Sequence, residues 1–147
     1  MIQLAICGVK EAEVLMLSYF TAYASSLVSF LALDAVWLSI MVPRVYRPGM
    51  THLMGDGFNL PAAAVFYLLY AVGMVVIAIM PAGKASQALF NGAMLGLIAY
   101  GTYDLTNQAT LRDWPWNLTV LDMAWGTIAT ALASAIAFYA VNALHPN

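Results

Sequence analysis

Four apolar runs, each long enough to cross a bilayer, constrain this 147-residue chain more than any other feature. A hydrocarbon core of about 30 Å needs about 20 helical residues, and runs of that order occupy 15–42, 61–80, 85–105 and 118–142. Lipid offers no hydrogen bonds to an exposed backbone, so only helices and closed barrels span it. The runs lack the two-residue alternation of barrel strands. The expected fold is therefore all-α, a polytopic membrane four-helix bundle. Composition agrees: 63% of residues are hydrophobic and 8% charged, against about 25% charged in a soluble domain.

Proline and glycine punctuate the runs. Pro43 is expected to close the first, and Pro61 suits the first turn of the second, where a missing N–H costs nothing. Pro81 and Gly83 separate the second from the third, Pro115 precedes the fourth, and Pro146 follows it. Ala22-Tyr23-Ala24 has the form of a signal-peptidase site, but cutting there would halve a run that continues to residue 42. Residues 1–14 are thus expected to be an N-terminal extension leading into one transmembrane domain, 15–147. An even number of spans places both termini on one side. Lys10 and Lys84 stand there against Arg44, Arg47 and Arg112 on the other, a difference too small to orient the chain.

Several chemistries are excluded or disfavoured. One cysteine cannot build a disulfide framework or a thiolate cluster, and five scattered basic residues make no nucleic-acid surface. His52 and His145 both lie outside the runs, so no bis-histidine haem pair is expected. Zinc would need nitrogen or sulfur ligands placed together, and no metal site is expected. Neither HExxH, CxxC, P-loop nor GxSxG occurs.

Charged groups inside a membrane are expensive and mark function by default. Asp34, Asp104 and Asp122 lie within the runs. Threading the chain back and forth puts all three in one half of the bilayer, toward the 43–60 and 106–117 connections. That half also collects Tyr103, Asn107, Gln108, Thr119, His52 and Asp56. The chain is therefore expected to be polarised, with a polar pocket at one end and apolar packing at the other. Asp34-Ala-Val-Trp37 and Asp122-Met-Ala-Trp125 repeat Asp-x-x-Trp, a spacing that puts carboxylate and indole on one helix face. The plainer reading of a lone tryptophan is interfacial anchoring, which suits Trp114 and Trp116. For the aspartates it is interhelical bonding, or pairing with Arg44, Arg47 or Arg112. Gly92 and Gly96, and Gly126, Thr130 and Ser134, form small-residue stripes that allow close helix approach, within the bundle or between protomers. Phe66, Tyr67 and Tyr70 read as packing or lipid-facing aromatics.

Tyr100-Gly-Thr-Tyr-Asp-Leu-Thr-Asn-Gln, continuing to Pro115, and Asp122-Met-Ala-Trp-Gly-Thr127 resemble a bacterial family of small membrane proteins, domain of unknown function 2177. Asp34-Ala-Val-Trp37-Leu38, Tyr46 and Phe66-Tyr-Leu-Leu-Tyr70 resemble its other recurrent positions, and the match covers about residues 16–142. Residues 1–15 depart from the family, with Met16 as its more usual beginning. The resemblance implies a four-helix protein of the bacterial inner membrane and brings no activity or cofactor with it.

The favoured functional expectation is a non-catalytic accessory subunit, or a bundle binding a lipid or hydrophobic cofactor in an Asp-Trp pocket. Its partners would be membrane lipids, a larger membrane complex or further copies of itself. Candidate ligand or proton-site residues are Asp34, Trp37, Tyr103, Asp104, Asn107, Arg112, Asp122 and Trp125. One alternative is a dimeric proton- or cation-coupled transporter with Asp34 as the coupling acid. Another is an enzyme on lipid headgroups, with Asp104 or Asp122 as base and Arg112 or Arg47 holding phosphate.

Overall fold

The computed structural model describes residues 2–55 and 57–146, with the side chains of residues 2–7 and 9 outside the description; Asp56 thus falls outside it. The chain is 85% helical, with no strand among the described residues. Helix α1 (Ile2–Met41) continues through a π-helical segment (Val42–Tyr46) into the short α2 (Arg47–Met50). Helix α3 (Leu60–Gly73) also ends in π-helical turns (Met74–Ile79), followed by α4 (Ala85–Thr110) and α5 (Trp116–Leu144).

Pro43 does not close the first helix. Proline has no N–H to donate and its ring crowds the preceding turn. Here the turn widens instead of breaking: the Arg47 N–H bonds to the Val42 carbonyl, five residues back. At the other end α1 begins at Ile2, so residues 2–14 are helical and run without a break into the first apolar run. The other punctuation behaves as expected. The Asn59 side chain caps α3 by accepting the Ala62 N–H at 3.2 Å, with Pro61 in the first turn.

Contacts between helices define an antiparallel, up-and-down bundle. Thr21 meets His145 at 3.0 Å while Asp34 and Trp37 meet Trp125, so α1 and α5 run oppositely. Asn91 donates to the Ala78 carbonyl at 3.5 Å and Tyr70 packs on Tyr100, so α3 and α4 do too. The most extensive pairing is α4 with α5. A Cβ added at Gly92 would lie 2.6 Å from Ser134 Oγ and 2.7 Å from the Thr130 carbonyl. One added at Gly96 would strike the Gly126 backbone, and one at Gly126 the Tyr100 ring. The two small-residue stripes therefore meet each other inside the protomer.

The outer surface is apolar. Phe20, Val28, Leu69, Ile98 and Ile128 are all more than half exposed, on four different helices, an exterior suited to hydrocarbon and not to water. Three segments are long and apolar enough to cross a membrane: Lys10–Met50, Leu60–Ile79 and Trp116–Leu144. Helix α4, with 26 residues, has the length but is less apolar. Its threonines satisfy themselves, as when Thr102 donates to the Ile98 carbonyl at 2.7 Å. Serines of α1 do the same: Ser18 bonds to the Val14 carbonyl at 2.8 Å and Ser29 to that of Ser25 at 2.6 Å.

Candidate binding site

Asp34 is only 6% exposed. Its Oδ2 accepts the Tyr67 hydroxyl of α3, and its Oδ1 accepts the Trp125 indole N–H of α5 at 3.1 Å. One turn further along α1, Trp37 lies flat on Trp125, with centroids 4.5 Å apart and planes 1° from parallel. The Trp37 N–H donates to the Tyr46 oxygen at 3.1 Å, and the Tyr46 hydroxyl donates to Asp122 Oδ1. Asp34 and Asp122 are thus the two acidic poles of one construction that clamps α1, α3 and α5 together.

The repeated Asp-x-x-Trp pattern works by exchange. Neither indole serves the carboxylate of its own helix. Trp125 serves Asp34 directly, and Trp37 reaches Asp122 through Tyr46. The two Asp-x-x-Trp motifs face each other across α1 and α5, and the bonds run between the helices. At i,i+3 the two side chains share a face and both turn toward the facing helix, where the partner's groups lie.

The π-helical segment has a part in this geometry. Nine residues of regular α-helix amount to about two and a half turns, which would set Tyr46 on the face opposite Trp37. Widening the turns over Val42–Tyr46 makes the later side chains lag and carries the Tyr46 phenol back toward Trp37.

Beside these groups lies a cavity of about 670 Å³. Asp34, Trp37, Tyr46, Tyr67, Tyr103 and Asp122 contribute to its wall, together with Phe58, Phe66 and Tyr100. Of the residues singled out in the sequence, Asp34, Trp37, Tyr103 and Asp122 line it, and Trp125 stands behind Asp34. Asp104, Asn107 and Arg112 are not in the wall. Asp104 is fully buried at the same end of the bundle, and neither of its carboxyl oxygens has a hydrogen-bond partner. Asn107 is half-buried; Arg44, Arg47 and Arg112 are exposed. For Asp34 and Asp122 the partners are phenols and an indole in place of arginine, and Arg47 and Arg112 are not among the residues lining the cavity.

Residue spacing does not single out three tyrosines of this site. Tyr46 and Tyr67 hold the two carboxylates, and Tyr100 lies between the cavity and Gly126. The partners of Tyr67 and Tyr46 lie 33 and 76 residues away in the chain, beyond any periodicity rule; the family resemblance marked Tyr46, Tyr67 and Tyr100, and Tyr67, read as a packing or lipid-facing aromatic, instead holds Asp34. Trp114 is also corrected. It is buried, not an interfacial anchor: its N–H donates to Thr119 Oγ1 at 3.1 Å, and Thr119 donates in turn to Gln108 Oε1 at 3.1 Å, closing the α4–α5 connection. Trp116 remains exposed.

The opposite end is not merely apolar. A second cavity of about 470 Å³ there is lined by Lys10, Glu11, Ser18, Asn142 and His145 among others. Because α1 begins so early, residues set aside as a lead-in face the end of α5. Among the described residues, no three histidine, cysteine or acidic side chains come together to hold a metal.

Helical bundle, apolar exterior and a buried carboxylate-aromatic construction define a small integral membrane protein. The chain belongs to the family described as predicted membrane protein, domain of unknown function 2177, whose model matches residues 19–139. No curated protein and no solved structure matches it.

Proposed function

We propose that this protein is a non-catalytic binding protein of the bacterial inner membrane that holds a lipid or hydrophobic small molecule in the aromatic cavity between its helices. In this reading α4 spans the bilayer with the other three helices, and membrane lipid supplies or surrounds the ligand. One observation carries it: a cavity of about 670 Å³ is walled largely by aromatic and apolar side chains, with a few polar groups among them. Ligand sites have volumes of about 300–1,000 Å³ and this same make-up, an apolar wall with few oriented polar groups. The hydrogen-bonded network supports the reading further, since groups locked by one another can present a fixed shape to a ligand.

Native mass spectrometry of protein extracted in a mild detergent tests it. A bound species of defined mass is expected on the wild-type chain and absent from Ala63→Leu, which places a larger side chain in the cavity wall. Protein that carries no bound species, and takes up none when bacterial lipid extract is returned, would overturn the proposal.

A further inference from the structure

The cavity wall is unbalanced in charge. Asp34 and Asp122 both face it, and among the residues lining it there is no lysine, arginine or histidine. The groups that hold the two carboxylates are neutral donors: the phenols of Tyr67 and Tyr46 and the indole of Trp125. A phenol or indole steadies a carboxylate but leaves its formal charge uncompensated. In a low-dielectric wall such charge demands an opposite charge or a proton. A wholly apolar ligand would gain nothing from two acids, and an anionic head would be repelled by both.

The remaining wall selects between a proton and a larger cation. Trp37, Tyr100 and Tyr103 line the space with aromatic rings, whose faces carry negative electrostatic potential and attract soft organic cations within about 6 Å. Resting on the reading that the cavity holds a ligand, we propose that its occupant is an organic cation: a substituted ammonium on an apolar body, its charge set between Asp34, Asp122 and the surrounding rings. The ammonium could be borne by a lipid headgroup or by a free amphiphile; the recognition chemistry is the same.

Three probes with one chain and different heads test this on the full-length protein in dodecyl maltoside: octyltrimethylammonium, octanol and octyl sulfate. Emission of Trp37, which lies in the wall, reports occupancy. The cation is expected to bind at least about tenfold more tightly than the other two, within the range of a desolvated cation–aromatic contact. Asp34→Asn and Asp122→Asn should each weaken the cation at least about tenfold while leaving octanol unchanged. Should either variant misfold, Ala63→Leu keeps both acids and is expected to weaken every probe. Equal binding of cation and octanol, unaffected by either aspartate change, would overturn the cation proposal and leave the cavity reading standing. No saturable response to any probe would overturn both. Nanodiscs of phosphatidylglycerol, with and without phosphatidylethanolamine, separate the sources. A cation affinity lowered by phosphatidylethanolamine supports the proposal with a lipid headgroup as occupant; an affinity that does not change supports it with a free amphiphile.

Discussion

The two sides of the bundle are built on opposite principles. Along the α4–α5 seam the side chains are small, and backbone lies against backbone: Gly92 against Ser134 and Thr130, Gly96 against Gly126. Around Asp34 the residues are large and planar: stacked rings and hydrogen bonds join α1, α3 and α5, and a cavity remains beside them. Close packing in a membrane draws on dispersion contacts between small residues, with no hydrophobic drive between helices. A ring stack, by contrast, fixes distance and angle without filling all the space beside it. The seam supplies rigidity, and the aromatic side supplies a site.

This contrast can be broken most severely at Gly96, where even a bare Cβ would overlap the Gly126 carbonyl oxygen. Gly96→Ala is expected to cost about 3 kcal/mol, the upper range of overpacking, and to lower the thermal midpoint of the detergent-solubilised protein sharply. Ala63→Leu, on the cavity side, should leave that midpoint close to wild type because the added atoms enter open space. If both variants fell equally, the two sides would not differ in packing. Asp34→Ala comes next, leaving the Tyr67 hydroxyl and Trp125 N–H without their acceptor. A loss of about 2–3 kcal/mol is expected, together with reduced near-ultraviolet circular dichroism from the Trp37–Trp125 stack.

Tyr46→Phe sharpens the comparison by keeping the ring and removing only its hydroxyl. It should cost about 1–1.5 kcal/mol and disturb the tryptophan signal less than Asp34→Ala, because the stack itself is untouched. The smallest effect, of opposite sign, is expected at Gly73, where a Cβ would meet nothing within 4 Å. Gly73→Ala should raise stability by about 0.5–1 kcal/mol, since the alanine loses less backbone entropy in a helix. The same chemical change would then destabilise at the seam and stabilise at the end of α3.

Corrections to the sequence reading fall where local rules compete with neighbours. Pro43 is an ordinary stop signal, yet the chain met it with a wider turn and continued to Met50. Trp114 beside Pro115 looked like an anchor, but Gln108 and Thr119 draw it into the α4–α5 connection.

Hydrophobic length and chain threading alone determined the all-helical membrane bundle, its alternating direction and the end at which Asp34, Asp104 and Asp122 gather. Those features depend only on how many residues cross and which way each run points. Rotation of each helix about its axis was decided by the tertiary structure: which acid meets which indole, and that Tyr46 and Tyr67 complete the site. In a soluble helix an apolar stripe reveals the inward face, but a helix that is apolar on nearly every side has no such stripe to read. Its rotation is set by glycine seams, ring stacks and a local change of pitch, and these exist only once the helices have met.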